Sequence, residues 1–240
     1  MLSKKKIVNW IKESLGDAGA DGIVMGLSGG VDSSCVAALA KEAVGRDKVL
    51  ALILPCYSHP QDIQDAKLVA RRLKIKTITI DLSRIHKTLV KILPNANPIA
   101  VANLKPRLRM LVLYYFANKL NYLVCGTGNK SELRVGYFTK HGDGATDILP
   151  LGDLLKTRVK QLAKELNIPP HIINKPPTAG LWPGQTDEDE MGITYSELDD
   201  ILERLEKRKR QILPKEKVKK VKEMIKHSAH KRQGPKICYV

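Results

Sequence analysis

Three features of this sequence predict an α/β fold built on a doubly wound parallel sheet. Short runs that are apolar throughout, as in strands covered on both faces, occur at Ile23–Leu27, within Lys48–Pro55 and within Lys76–Asp81. Segments of helical period separate them. A loop rich in glycine and serine, Ser28-Gly29-Gly30-Val31-Asp32-Ser33-Ser34, joins the first run to the helix-like stretch Cys35–Ala40.

In chain order, residues 3–19 read as an amphipathic helix with Ile7, Val8, Ile11 and Leu15 on one face. The strand at Ile23–Leu27, the loop and its helix follow. A strand within Lys48–Pro55, a helix over Gln61–Leu73 and a strand within Lys76–Asp81 complete a β-α-β-α-β half. A long apolar-striped helix from about Ile99 to Leu120 leads to a fourth strand at Tyr122–Cys125, and a helix near Leu154–Leu166 comes next. The pattern Ile201, Leu202, Leu205, Val218, Val221, Met224, Ile225 marks the C-terminal helices. Right-handed crossovers then give a sheet ordered 3-2-1-4 with a short fifth strand, Rossmann-like in its winding, and place the ligand crevice between strands 1 and 4. Two stretches read as loops. Cys56–Pro60 leaves the second strand, and Asn174–Gly192 carries three prolines, three glycines and the acidic run Asp187–Glu190, which suits a lid. The expectation is one domain over residues 1–240, with a basic helical segment from about 196 to 240 and no internal repeat.

The composition is that of a soluble protein, 43% hydrophobic and 28% charged. The longest apolar run, Met110–Ala117, is far below spanning length, and Lys4-Lys5-Lys6 leads into Trp10-Ile11-Lys12-Glu13 rather than an apolar signal core. No membrane partner and a cytoplasmic location are expected. Cys35, Cys56, Cys125 and Cys238 are scattered without a C-x-x-C pair and read as reduced, structural thiols. The formal charge of +16 raises nucleic acid as a partner. The excess is concentrated between Arg204 and Lys236, with fourteen Lys/Arg against three Glu, and that segment has little aromatic interleaving. Amphipathic helices with solvated lysine faces are the preferred reading over RNA binding.

The loop carries the chemistry. Glycines let backbone N–H groups close on a phosphate, the serines add donors, and the helix behind them adds partial positive charge. The lysine of a kinase or GTPase phosphate loop is missing; Asp32 is present instead. A carboxylate facing phosphate requires an intervening cation, and Mg²⁺ suits both. The alternative is a plain strand-to-helix turn capped by Asp32.

A second constellation, Cys125–Pro150, begins where the fourth strand releases into the crevice. Thr127 is a donor for a nucleotide, Glu132 a second metal carboxylate, Phe138 a flat apolar face, and Lys140 and Asp147 add charge. Lys156 opens a helix where its charge opposes the dipole, which points to a phosphate partner.

S-G-G-x-D-S-S resembles the signature of the ATP pyrophosphatases, whose Rossmann-like sheet, of the adenine nucleotide alpha hydrolase type, adenylates a substrate oxygen. G-T-G-N-K-S-E-L, G-Y-F-T-K-x-G-D-G-A-x-D-I-x-P and L-W-x-G-Q-T-D-E are similar to the NAD synthetase family, together with Lys105–Met110, Pro177–Trp182 and His230-Lys231-Arg232. The resemblance implies a homodimeric ligase that converts deamido-NAD to NAD with ATP, Mg²⁺ and ammonia through an acyl-adenylate. It assigns ATP to Gly26, Leu27, Ser28, Gly29, Gly30, Val31, Asp32, Ser33, Thr127, Lys156 and Thr178, and the metal to Asp32 and Glu132. It assigns deamido-NAD to Arg107, Phe138, Lys140, Asp147, His230 and Lys231. Asp143 and Asp147 are candidates for holding ammonium, with Asp143 counted among the catalytic set of Asp32, Lys156 and Thr178. No glutaminase domain is expected before the first strand. A tRNA-modifying ATP pyrophosphatase and a non-catalytic nucleotide-binding module are the rival readings; Phe138–Asp147 goes unexplained by the first, and two spaced metal carboxylates argue against the second.

Overall fold

The computed structural model describes residues 2–182 and 184–238, without the side chains of residues 2 and 3. Pro183, within the expected lid and the L-W-x-G-Q motif, lies outside the described residues, as do Met1, Tyr239 and Val240. Four parallel strands, β1 (Gly22–Gly26), β2 (Val49–Ile53), β3 (Lys76–Thr79) and β4 (Tyr122–Val124), form one sheet ordered β3-β2-β1-β4, as the crossovers predicted.

Alternation along the central strands sends side chains into two separate cores. Ile23 and Met25 of β1, with Val49, Ala51 and Ile53 of β2, pack under α1 (Leu2–Asp17), α2 (Val31–Val44), α3 (Pro60–Leu73), α8 (Lys156–Glu165) and α9 (Pro170–Asn174). Val24, Leu50 and Leu52 point the other way, against α6 (Leu104–Leu120) through Leu108, Val112, Leu113, Phe116 and Ala117. The doubly wound expectation holds at β1 and β2, whose two faces are both apolar, whereas β3, expected to be buried, is an exposed edge strand with only Ile78 partly covered. Small residues Ala37, Ala38, Ala40 and Ala43 let α2 lie close to the sheet. A third core joins Val135 of α7 (Lys130–Val135) to Met191 of α10 (Asp187–Met191), to α11 (Tyr195–Glu206) through Leu198 and Ile201, and to α12 (Lys215–His227) through Val218 and Val221.

The structure corrects four boundaries. The long helix is broken: α5 (Pro98–Ala102), capped by Asn97, ends before α6 begins, because Pro106 has no N–H for the Ala102 carbonyl. Ser83–Ile92 forms α4, an element absent from the sequence reading. The acidic run is not loop but α10; the Thr186 hydroxyl accepts from the Asp189 N–H, and carboxylates suit a helix start. The fifth strand is reduced to one bridge between Cys125 and Ile148. The Asp147 carboxylate accepts the Val124 N–H at 2.7 Å, occupying the donor that a fifth strand would need. Among the described residues, no helix is long and apolar enough to cross a membrane.

Gly22 lies where three strands crowd: a Cβ there would meet the Tyr122 ring at 2.5 Å and the Lys48 carbonyl at 2.6 Å. Gly16, near the end of α1, has open space. In urea denaturation Gly22→Ala is expected to cost about 1–3 kcal/mol, as overpacking does. Gly16→Ala is expected to gain about 0.5–1 kcal/mol from helix propensity.

Candidate active site

The carboxyl ends of β1 and β4 open into a cleft of about 430 Å³. The phosphate loop forms one wall. Gly29 has φ +83 and lies so close to α3 that a Cβ would sit 2.2 Å from the Asp62 carbonyl oxygen. Ser28 and Ser33 hydroxyls touch at 3.0 Å, and the Ser33 and Ser34 hydroxyls donate to the Gly30 carbonyl. Gly30, the N-cap residue of α2, has no side-chain cap, so the helix start keeps its N–H groups for an anion.

Asp32 extends from the first turn of α2 toward Glu132 of α7, and the Lys156 ammonium sits between them. Lys156 Nζ is 2.5 Å from Asp32 Oδ2 and 3.2 Å from Glu132 Oε1. Burial alone would lower the Lys156 pKa, yet Asp32 and Glu132 raise it above the ordinary lysine range. Glu132 is pushed up to about 7 by burial, with Lys156 opposing that shift. Asn129, fully buried, organises the pair: it caps α7 in a reciprocal capping box with Glu132, while its Nδ2 donates to Asp32 Oδ1 at 3.0 Å. The Tyr195 hydroxyl lies 3.3 Å from Glu132 Oε1 and 3.0 Å from Asp187 Oδ2, and its ring is 5.0 Å from the Lys156 ammonium. Asp187 Oδ1 is buried with no hydrogen-bond partner.

These contacts revise the argument for Lys156. Its place at the start of α8 is offset by carboxylates, with no phosphate needed: Asp199 accepts the Thr157 N–H at 2.8 Å and the Ser131 hydroxyl, which in turn accepts the Lys156 N–H.

Of the other expected site residues, Gly26, Leu27, Ser28, Gly30, Thr127, Phe138, Asp143, Thr178 and Lys231 line the cleft with Glu132 and Lys156. Gly29, Val31, Asp32 and Ser33 stand behind this lining, in the loop and first turn of α2. Arg107, Lys140, His230 and Lys231 gather at one rim. Arg107 donates to the Lys140 carbonyl, Lys140 to the His230 carbonyl, and Lys231 to the Gly136 and Phe138 carbonyls while lying 5.6 Å from the Phe138 ring. Asp143 accepts the Thr139 N–H. Asp147 stands apart, its carboxylate committed to Val124 N–H and the Tyr114 hydroxyl.

The structure adds side chains to which the sequence assigned no individual role: Asn129, Asp187, Arg109 and Lys105, which lie within the resembling motifs, and Tyr195 and Lys175. Arg109 donates to the Leu54 carbonyl, and Lys105 reaches the Leu181 carbonyl at 2.6 Å, holding the expected lid against α6. Asn129 had a readable local signal in the N-x-x-E capping pattern, and Lys105, Arg109 and Asp187 had only their place within the resembling motifs. Cys35 and Cys125, buried, have thiol pKa values raised by burial and are inert structural thiols.

A lysine-free phosphate loop between β1 and α2, with an aspartate at its exit, defines a nucleotide-binding protein of the ATP pyrophosphatase class. The chain belongs to the NAD synthase family, whose model matches residues 3–235. It is 48% identical over 238 residues to an NH(3)-dependent NAD(+) synthetase of Carboxydothermus hydrogenoformans, covering 97% of this chain and 95% of the relative. Among solved structures it resembles an NMN synthetase from Francisella tularensis, with TM-score 0.92 and 40% identity over 99% of this chain and 98% of that one. It also resembles an NH3-dependent NAD synthetase from Campylobacter jejuni in complex with nitrate, with TM-score 0.86 and 30% identity over 99% and 98%.

Asp199→Ala leaves the α8 N-terminus and the Ser131 hydroxyl without their acceptor. A loss of about 1–3 kcal/mol in urea denaturation is expected, larger than for Ser131→Ala.

Proposed function

We propose that the chain joins ammonia to the nicotinate carboxyl of deamido-NAD at the expense of ATP, giving NAD, AMP and pyrophosphate. The observation that carries this reading is the convergence of Asp32 and Glu132 on one cation, Lys156, beside the uncapped start of α2. Family membership supplies the reaction class.

The donor set fits Mg²⁺. Two carboxylates already meet at a point that holds a positive charge; among the described residues no third acidic, His or Cys side chain joins them as a metal cluster, so phosphate and water oxygens would complete the shell. Bound there by Asp32 and Glu132, Mg²⁺ would neutralise phosphate charge. The remaining steps belong to this chain's own residues. The N–H groups of Gly30 and the first turn of α2 hold the phosphate chain, with Ser28 and Ser33 as hydroxyl donors and Thr127 and Thr178 at the cleft wall. Lys156 stabilises charge on the departing pyrophosphate once nucleotide separates it from its carboxylates. Phe138 stacks on the pyridine ring, and Arg107, Lys140, His230 and Lys231 form the cationic rim for the dinucleotide. Attack of the nicotinate oxygen on the α-phosphorus gives the acyl-adenylate; ammonia then adds to the carbonyl and AMP leaves. Asp143, which lines the cleft, is the better placed of the two candidate ammonium carboxylates, since Asp147 already holds Val124 and Tyr114. The segment carrying Thr178 to Trp182 lines the same cleft and would keep water from the adenylate.

The likeness to an NMN synthetase favours a second reading of the acceptor, the nicotinate mononucleotide in place of the dinucleotide. The homodimer that the family resemblance implies is supported by the exposed apolar side chains Ile99, Leu111 and Tyr115 on α5 and α6, which are 64%, 63% and 59% exposed.

Incubation with ATP, Mg²⁺, ammonium and deamido-NAD is expected to yield NAD with stoichiometric AMP and pyrophosphate; ADP and phosphate as products would exclude adenylation. Comparison of kcat/KM for the two acceptors separates the readings, and a preference for the mononucleotide would establish the second. Asp32→Ala and Glu132→Ala should each lower kcat/KM by about a hundredfold or more with the fold retained. The double variant Leu111→Glu/Tyr115→Glu is expected to sediment as a monomer and to raise KM for deamido-NAD more than KM for ATP. A wild-type protein that sediments as a monomer while fully active would refute the dimer.

A further inference from the structure

Away from Asp32, Glu132 and Lys156, an ionic cluster joins three elements that are distant in sequence. Lys175 follows α9 at the root of the segment that carries Thr178 to Trp182 along the cleft. Its Nζ donates to Asp65, to Asp62 Oδ1 at 2.9 Å and to the Gly29 carbonyl at 3.4 Å. Asp65 is 1% exposed, among the core positions Ala66, Val69 and Ala70 of α3, and takes two more hydrogen-bond partners, Gln61 Nε2 at 2.9 Å and His171 Nε2 at 3.1 Å. Burial pushes its carboxyl up, but hydrogen bonds from Lys175, Gln61 and His171 more than offset that and keep it ionised.

A buried aspartate is an expensive way to pin α9 to α3, since an apolar contact would hold them as well. The third contact supplies what an apolar contact lacks. Gly29 is the loop residue with positive φ, pressed against the first turn of α3. A trans peptide points its C=O and N–H in opposite directions, so a carbonyl held by Lys175 turns the Gly30 N–H away from α3. Gly30 is the residue from which α2 starts. Lys175 therefore acts, together with the Ser28 hydroxyl that accepts the Gly30 N–H at 3.3 Å, on the orientation of an amide of the phosphate loop, and it does so from a point three residues before Thr178.

We propose that Lys175, held by Asp65 and Asp62, is a positioning residue that couples the phosphate loop to the segment over the cleft, so that nucleotide in the loop orders that segment. The inference rests on the nucleotide reading of the loop. Lys175 acts through Gly29 and the chain ahead of Thr178; the same site with a free lysine would bind nucleotide without telling the segment.

The protein contains two tryptophans, Trp10 on α1 and Trp182 in the segment itself, so a Trp10→Phe background leaves Trp182 as the reporter. Binding of ATP with Mg²⁺ is followed by Trp182 fluorescence, and steady-state KM values are measured for ATP and for deamido-NAD. In Lys175→Met and in Asp65→Asn, KM for ATP is expected to rise about tenfold, the size of one lost charge-assisted interaction, while KM for deamido-NAD changes little. The ATP-induced Trp182 signal should be lost in both, and the double variant should be no worse than either alone, because the two residues form one device. Lys175→Arg should restore most of the ATP affinity. Asp62→Asn serves as the second carboxylate variant should Asp65→Asn fail to fold, with the same expected direction. If Asp65→Asn keeps the wild-type KM and fluorescence response while Lys175→Met loses ATP affinity, Lys175 touches nucleotide directly and the coupling proposal is overturned. An unchanged Trp182 response in Lys175→Met overturns it equally. A background protein with no response to ATP at all overturns the nucleotide reading itself, which distinguishes the two failures.

Discussion

The contact on which the site depends is the Lys156 ammonium between Asp32 and Glu132. Each partner comes from a different element: α2 behind the phosphate loop, α7 behind β4, and α8. Two half-buried carboxylates this close would repel, and a lysine 2% exposed would lose its proton, unless each charge answered the others. The triad is therefore stable only as a whole, and it fixes the relative placement of three helices at the crevice. The same demand explains the surrounding shell. Asn129 orients Asp32, Tyr195 bridges Glu132 and Asp187, and Asp199 with Ser131 quiets the α8 N-terminus.

The arrangement is poised for exchange of partners. The lysine serves both acids. On the proposed function, a polyphosphate with Mg²⁺ would offer the carboxylates a stronger cation and the lysine a stronger anion, so the same three residues could reorganise without leaving an unpaired charge. Asp187, whose second oxygen has no partner, is the spare acceptor in this set. Charge is segregated across the cleft. Carboxylates cluster near the phosphate loop, while Arg107, Lys140 and Lys231 mark the opposite rim, so on the proposed function a metal–polyphosphate and an anionic dinucleotide would each meet complementary charge.

The C-terminal helices serve this cleft mechanically. Gly136 packs so tightly on Ser228 that a Cβ would lie 2.1 Å from the serine Cβ, and Lys231 and Arg232 reach back to carbonyls around Leu133, Gly136 and Phe138. Part of the basic C-terminal charge is thus spent on holding the rim, while lysines such as Lys219 and Lys222 on α12 stay exposed. The amphipathic pattern had implied this division without locating it.

By itself the sequence determined the sheet order, the two-sided cores and the chemistry of the loop, because those depend on local pattern: apolar period, glycine where φ must be positive, and a carboxylate where a lysine would otherwise stand. It also carried Asp32 and Glu132 as partners through motif resemblance. Only the tertiary structure decided that Lys156 lies between them, that Asp147 is spent on the β4 edge and so suppresses a fifth strand, and that Lys175 ties the phosphate loop to the segment over the cleft. The reason is physical. Residues such as Asp65, Lys175 and Tyr195 have no local signal of function, since a buried charge or hydroxyl acquires its role from partners far away in sequence, and only folding brings those partners within hydrogen-bonding distance.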